Sequence, residues 1–318
     1  MDESIKTRSL VEGALLSAVT IILSIASLYI PVLGVFISFF WPVPIILLGI
    51  RHGLKISILA TVVSGLVVAM LAEPVQAFTV ILGFGLIGVT LGYALRKDFS
   101  PGKTLFVGSI ASLISKVILV GITLAILNIN PITQQVDLMK EAIDHAVKLY
   151  SSMGIDADRL ETFKKSFNQM ADMIGIVIPG LFVMASVLDT FLNYTIARLV
   201  LNRLGQKIEN FPPLKYWQMP TYTVALFLTG IILMMFYNIY KIDILRFLGV
   251  NLQMVFSFVF IIQGLALLSY FLNKFRVSKV FRVIIIFLFF FNPLFSQLLL
   301  WGGMLDILFD FRKLKTTR

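Results

Sequence analysis

Long apolar runs broken by short, mostly basic segments organise this chain. A helix needs about 20 apolar residues to cross a bilayer. Runs of that size fall near Leu10–Ile30, Pro31–Ile50, Leu54–Ala72, Val75–Leu95 and Leu105–Leu127. After a polar stretch, others follow near Met173–Leu201, Tyr222–Tyr240, Val250–Leu272 and Val283–Phe309. The pattern predicts an all-α, polytopic transmembrane helix bundle with nine apolar segments and eight to ten spans. The uncertainty in the count comes from Asn292-Pro293 in the last run, because proline removes an intrahelical hydrogen bond. A single kinked span is expected there; the alternative is two short pieces that return the tail to the side it came from.

The polar stretch from Ile129 to Ala171 has its own helical periodicity. Leu138, Ala142, Ala146 and Leu149 share one face of a helix that Asp137 is placed to help cap, and a turn follows at Ser151–Gly154. Leu160, Phe163, Phe167, Met170 and Ile174 then repeat at helical spacing and run into the sixth apolar segment. An outward helical hairpin is expected, serving either as a lid over a pocket or as a membrane-surface element.

Small residues give the first run a special face. Gly13, Ser17, Thr20, Ser24 and Ser27 form one stripe along the helix, and Ala14 and Ala18 flank it as a small-x-x-x-small pair. Lipid is as apolar as leucine, so helices in a bilayer associate by close packing across small residues. Docking of another helix on Gly13, Ala14, Ser17 and Ala18 is therefore expected.

Composition agrees with the run pattern. Of 318 residues, 58% are hydrophobic and only 14% charged, with a mean hydropathy of +0.93, well outside the range of soluble domains. The first run is too long, and too soon followed by more apolar sequence, for a cleaved signal peptide. The absence of cysteine removes disulfides, thiolate ligands and a cysteine nucleophile, and two histidines, His52 and His145, offer little for a metal site. No cofactor is expected. The net charge of +10 does not indicate nucleic acid, because the basic residues gather at the ends of apolar runs, where they set orientation and meet anionic lipid headgroups.

With the N-terminus inside, the inner segments hold Lys6, Arg8, Arg51, Lys55, Arg96, Lys97, Lys103, Arg198, Arg203, Lys207, Lys215, Lys274, Arg276, Lys279 and Arg282. The outer segments hold far fewer, most of them in the long loop, where acidic residues offset them. A multi-pass protein of the cell membrane with a cytoplasmic N-terminus follows from the positive-inside rule. Nine complete spans would nevertheless leave Arg312, Lys313, Lys315 and Arg318 outside, against that rule.

Motifs for catalysis are missing: the chain has no H-E-x-x-H, no G-x-S-x-G and no Walker loop. No enzyme activity is expected, and energy for any active transport would have to come from an ion gradient or another subunit. Gly83-Phe-Gly85-Leu-Ile-Gly88 matches the dinucleotide-binding pattern in letters only, since it lies inside an apolar run without a preceding strand. Two charges inside apolar runs are more informative. Lys116 and Asp189 fall at similar depth in antiparallel spans, and Asn193 lies one turn beyond Asp189. A lone charge at mid-bilayer costs about 2.5–3.5 kcal/mol, so such groups pair or line a cavity. They are read as facing the bundle interior, either as a structural pair or as anchors for a polar ligand. Glu73, before Pro74 at an outer end, is a further candidate contact, with an ordinary solvated turn as the alternative.

Pro42-Val-Pro44-Ile-Ile-Leu-Leu-Gly49-Ile-Arg-His-Gly53-Leu-Lys55 leads into Val63-Ser64-Gly65-Leu66. This order resembles the substrate-binding S-components of energy-coupling-factor vitamin transporters: a helix-breaking proline, a glycine-rich basic turn, then a Ser-Gly-rich span. Ala14-Leu-Leu-Ser-Ala18 resembles the A-x-x-x-A motif by which S-components dock on their transmembrane coupling subunit, and the glycine-rich fourth span ending at Arg96-Lys97 is also similar. The whole chain, with Leu305-Asp306 and Asp310-Phe311-Arg312-Lys313 near its end, resembles the YybS-type (DUF2232) membrane proteins.

The resemblance implies a six-helix S-component-like core over 1–205 with the hairpin at 129–171, and additional membrane segments over 206–318. It implies binding and import of a small polar molecule from outside but carries over no specific binding residues; on that reading Lys116, Asp189, Asn193 and Glu73, singled out by their own chemistry, are the pocket contacts. Ala14 and Ala18 would dock a coupling subunit that carries separate ATPases. Two departures stand out: the large 129–171 insertion and the spans after 205. A scaffold or regulatory protein that keeps the fold and binds a different membrane protein is the alternative.

Overall fold

A computed structural model describes residues 3–30, 32–128 and 130–314. Among them the secondary structure is entirely helical, as an apolar chain without water to satisfy its backbone requires. Seven helices are long and apolar enough to cross a membrane, or eight if one bent pair counts as a span. The chain divides into two compact units: Met1–Gln134 with Ala185–Phe211, and Gln135–Met184 with Pro212–Arg318.

In the first unit, α1 (Glu3–Tyr29) packs on α4 (Leu54–Leu71). The small-residue stripe makes this contact. Gly13 approaches Ile56, Ser17 Oγ donates to the Ala60 carbonyl at 3.4 Å, and Ser64 Oγ donates to the Ser17 carbonyl at 3.4 Å.

The second apolar run, beginning at Pro31, which itself lies outside the described residues, is not the span its composition suggests. It breaks into α2 (Leu33–Ser38) and α3 (Pro42–His52). Pro42 occupies the first turn of α3, where its missing N–H leaves no bond unmade. Eleven residues rise only about 16 Å, roughly half a hydrocarbon core. From Pro42 to Gly49 this short helix is buried, and it touches α6 (Leu86–Arg96) backbone to backbone where Gly49 meets Gly92. A Cβ on Gly49 would sit 2.8 Å from the Gly92 Cα, so only glycine fits. Ahead of α6 come α5 (Pro74–Phe78) and a π-helix, Thr79–Gly85. After α6 comes α7 (Pro101–Leu127), which starts on another proline.

In the second unit, α8 (Pro131–Ser152) and the start of α9 (Ala157–Arg203) form the expected hairpin, tied by Lys164 Nζ to Asp144 Oδ1 at 2.7 Å. Ile129, the first residue of the predicted loop, lies outside the described residues. Two details differ from expectation. Asn130, rather than Asp137, caps α8, its Oδ1 accepting from Ile132 N at 3.0 Å. Leu138, Ala142 and Leu149 are exposed, while Val136, Met139, Ile143 and Val147 form the half-buried side. α9 then continues unbroken into its membrane segment, so hairpin and span share one rod.

Further along this unit, α10 (Tyr222–Tyr240), α11 (Asp243–Lys274) and α13 (Pro293–Phe309) pack through glycines. Gly230 meets Gly249, and Gly303 lies so close to Phe260 that a Cβ would be 2.0 Å from its carbonyl oxygen. The last apolar run forms two helices. α12 (Lys279–Phe291) and α13 meet at 96° across Asn292. Pro293 opens the new helix, Asn292 Oδ1 accepts from Leu294 N at 3.0 Å, and Ser296 Oγ donates to the Phe289 and Phe290 carbonyls. The turn is thus a capped start of a second helix rather than a strained bend.

Candidate functional site

α7 presents Thr104, Gly108, Ala111, Ser112 and Ser115 as one buried face. Their small size lets α9 come close: a Cβ on Gly108 would lie 2.4 Å from Thr190 Cγ2. Lys116 and Asp189 meet at the edge of this seam. Lys116 Nζ donates to Asp189 Oδ2 at 2.5 Å and to Ser112 Oγ at 2.7 Å, while Ser112 Oγ reaches the same carboxylate oxygen at 3.5 Å. Asn193 Nδ2 donates to the Asp189 backbone carbonyl at 2.8 Å, and Asn193 Oδ1 is buried without a partner.

The pair is not sealed. The Lys116 and Asp189 side chains retain 22% and 29% exposure. An ammonium has three donors and a carboxylate accepts through two oxygens. One Lys116 proton and Asp189 Oδ1 therefore carry no hydrogen bond among the described residues. The seam thus offers a spare donor and a spare acceptor side by side.

The π-helix supports the same seam. Its wider turn displaces backbone carbonyls from the i→i−4 ladder, and Ser115 Oγ donates to two of them, Leu82 O at 2.5 Å and Gly83 O at 3.2 Å. Gly83 and Gly85 of the G-x-G-x-x-G letters are therefore π-helix residues, and Gly88 packs against Ile45. None of them forms a phosphate loop. A tiny cavity of about 10 Å³ lies between Trp41, Thr20, Thr61, Phe84 and Gly85, with room for no more than one water.

The structure brings Lys116, Asp189 and Asn193 together. Glu73 is not with them: it stands exposed at the start of α5, and its carboxylate makes no hydrogen bond or ion pair among the described residues. Of the four residues expected to dock a partner, Gly13 and Ser17 are buried against α4, so their occupant is part of the same unit. Ala14 and Ala18 point outward, and Ala14 lines an open groove of about 160 Å³ between α1 and α4.

Other polar clusters escape a reading by composition. Glu12, the one acid in the apolar part of α1, accepts from His52 Nε2 at 2.7 Å and from Arg51, which ties α1 to the end of α3. Its isolation in the run was the available signal. Asn251 on α11 inserts into α9 at the proline. Its Oδ1 accepts from Gly180 N at 2.7 Å and its Nδ2 donates to Ile176 O at 2.7 Å, so the side-chain amide serves backbone groups beside Pro179. Asp306 and Arg312 form a buried lock. Arg312 donates from Nε to Asp306 Oδ2 at 3.0 Å and from its two terminal nitrogens to the Lys215 and Trp217 carbonyls at 2.7 Å each. Gln263 Nε2 donates to Asp306 Oδ2 at 2.7 Å, and Gln263 Oε1 accepts from Met219 N. The segment after α13 therefore lies against the one before α10, on the same side of the membrane. Lys315 and Arg318 lie outside the described residues.

The sequence pattern of the family described as "Predicted membrane protein (DUF2232)" matches residues 18–307. The chain belongs to this family. It is 29% identical over 310 residues to "Uncharacterized protein YybS" of Bacillus subtilis (strain 168), covering 96% of this chain and 98% of that one. No solved structure matches it. As a DUF2232 protein with several apolar spans, it is an integral, multi-pass membrane protein.

Proposed function

We propose that this DUF2232 protein is a non-enzymatic substrate-capturing subunit of the cell membrane. On this reading it binds a small polar molecule at the α7–α9 seam and imports it together with a separate energised subunit. One observation carries the proposal: a charged pair inside apolar helices is partly open and keeps a donor and an acceptor unused. An unmade bond in a low dielectric is costly, which favours a partner for the open valences of the exposed edge. The motif order from Pro42 to Gly65 supports the S-component comparison, with 1–205 as the core, 206–318 as an addition and the N-terminus in the cytoplasm. The exposed Ala14 and Ala18 are the docking surface for the coupling subunit.

The second reading, a scaffold that keeps the fold without transport, draws on the covering of Gly13 and Ser17 by α4, which leaves a smaller docking face. Affinity purification in mild detergent separates the two. Recovery of a transmembrane subunit with its ATPases is expected; a stoichiometric partner unrelated to ATPases supports the scaffold instead. Ala14→Leu with Ala18→Leu should abolish the association while leaving thermal stability unchanged. Association that persists in this double variant removes the docking role from α1.

A further inference from the structure

We infer that the molecule taken at the Lys116–Asp189 seam carries no net charge and presents a hydrogen-bond acceptor next to a donor, as the edge of a cyclic amide or a pyrimidine base does. This rests on the ligand-binding reading above and narrows it to a chemical class.

The reasoning starts from the charge balance of the seam. Lys116 and Asp189 neutralise each other at 2.5 Å, and Ser112 holds the ammonium from the preceding turn of α7. An anionic ligand would have to draw Lys116 away and leave Asp189 unpaired; a cationic one would do the reverse. Either exchange strands a charge among apolar helices, which the surroundings oppose. An uncharged ligand needs no exchange. Its acceptor takes the third Lys116 proton and its donor meets Asp189 Oδ1, so both spare valences are filled and the pair stays intact. Asn193, one turn beyond Asp189, is fully buried, with its Nδ2 used and its Oδ1 without a donor among the described residues.

Matched pairs that differ by one carboxylate provide the test. Thermal unfolding of the full chain in detergent is measured with uracil against orotate, and with nicotinamide against nicotinate. The neutral member of at least one pair should raise the unfolding temperature, with an apparent Kd at least about tenfold tighter than its anion. Lys116→Leu with Asp189→Leu removes the pair as a unit, keeps the seam apolar and should abolish the shift. An anion that stabilises as much as its neutral partner overturns the charge rule, while the binding reading survives if the double variant still abolishes the effect. Stabilisation that persists in the double variant moves the site away from the seam and overturns both readings. No shift from either neutral compound overturns the inference itself.

Discussion

Two charged clusters inside this protein show how differently a membrane chain uses ionic groups. Around Arg312 the groups are buried: its side chain is fully buried and Asp306 is 1% exposed, with Asp306 Oδ2 carrying the bonds and Oδ1 left without a partner among the described residues. The guanidinium donates to one carboxylate and two backbone carbonyls, and Gln263 bridges the same carboxylate to Met219. Around Lys116 the pair is just as short, yet a quarter open and short of partners. The planar five-donor fork of arginine joins separate segments at once, whereas the ammonium of lysine is a point donor that readily keeps a proton free. The first cluster is a staple that holds the chain's tail to the segment before α10. The second is the one proposed above as a site.

The largest effect should come from cutting the staple. Arg312→Ala leaves Asp306 as an uncompensated buried charge and removes the donors from Lys215 O and Trp217 O. A loss of about 3–5 kcal/mol is expected, visible as a lowered unfolding temperature of the detergent-solubilised protein. A wild-type melting curve for this variant would erase the contrast between the clusters. The seam should respond less. Lys116→Met is expected to cost about 1–3 kcal/mol, because the Asp189 side chain left behind is 29% exposed rather than fully buried, and Lys116→Leu with Asp189→Leu should recover most of that loss. If the double variant is no more stable than the single one, the seam is a staple too.

The smallest effect belongs to the hairpin. The Lys164 ammonium, at 2.7 Å, holds the Asp144 carboxyl below its ordinary value of 3.8. A carboxylate lowered on folding stabilises the fold above its unfolded pKa, and that contribution disappears as pH falls through the folded one. Hydrogen exchange over the hairpin should be slightly slower in the wild type than in Asp144→Asn at about pH 6, and the difference should vanish at pH values below the usual carboxylate range. A difference that grows with acidity would contradict the sign of this coupling.

How much was legible beforehand varied with the kind of signal. Lys116 and Asp189 stood out because isolated charges in apolar runs are rare and their depths matched. Asn251 and Gln263 did not, because one amide in a long apolar run says nothing about which distant backbone group it will meet. Gly180 N beside Pro179 and Met219 N became their partners only once the helices had packed. Glycine spacing announced close contacts but not their identity. Gly49 found Gly92 and Gly303 found Phe260, while α4, which no local feature of α1 names, took Gly13 and Ser17.

By itself the sequence determined that this is a multi-pass helical membrane protein, because the transfer of an apolar run from water to lipid depends on the run's own residues. It also determined where helices begin, since Pro42, Pro101 and Pro293 act within one turn of themselves. Tertiary structure alone decided that the second run breaks into α2 and a short, buried α3 rather than spanning, that the last run turns through 96°, and which charges are buried and which stay partly exposed. Those outcomes depend on the free energy of pairing between segments far apart in the chain. No window of sequence holds both partners.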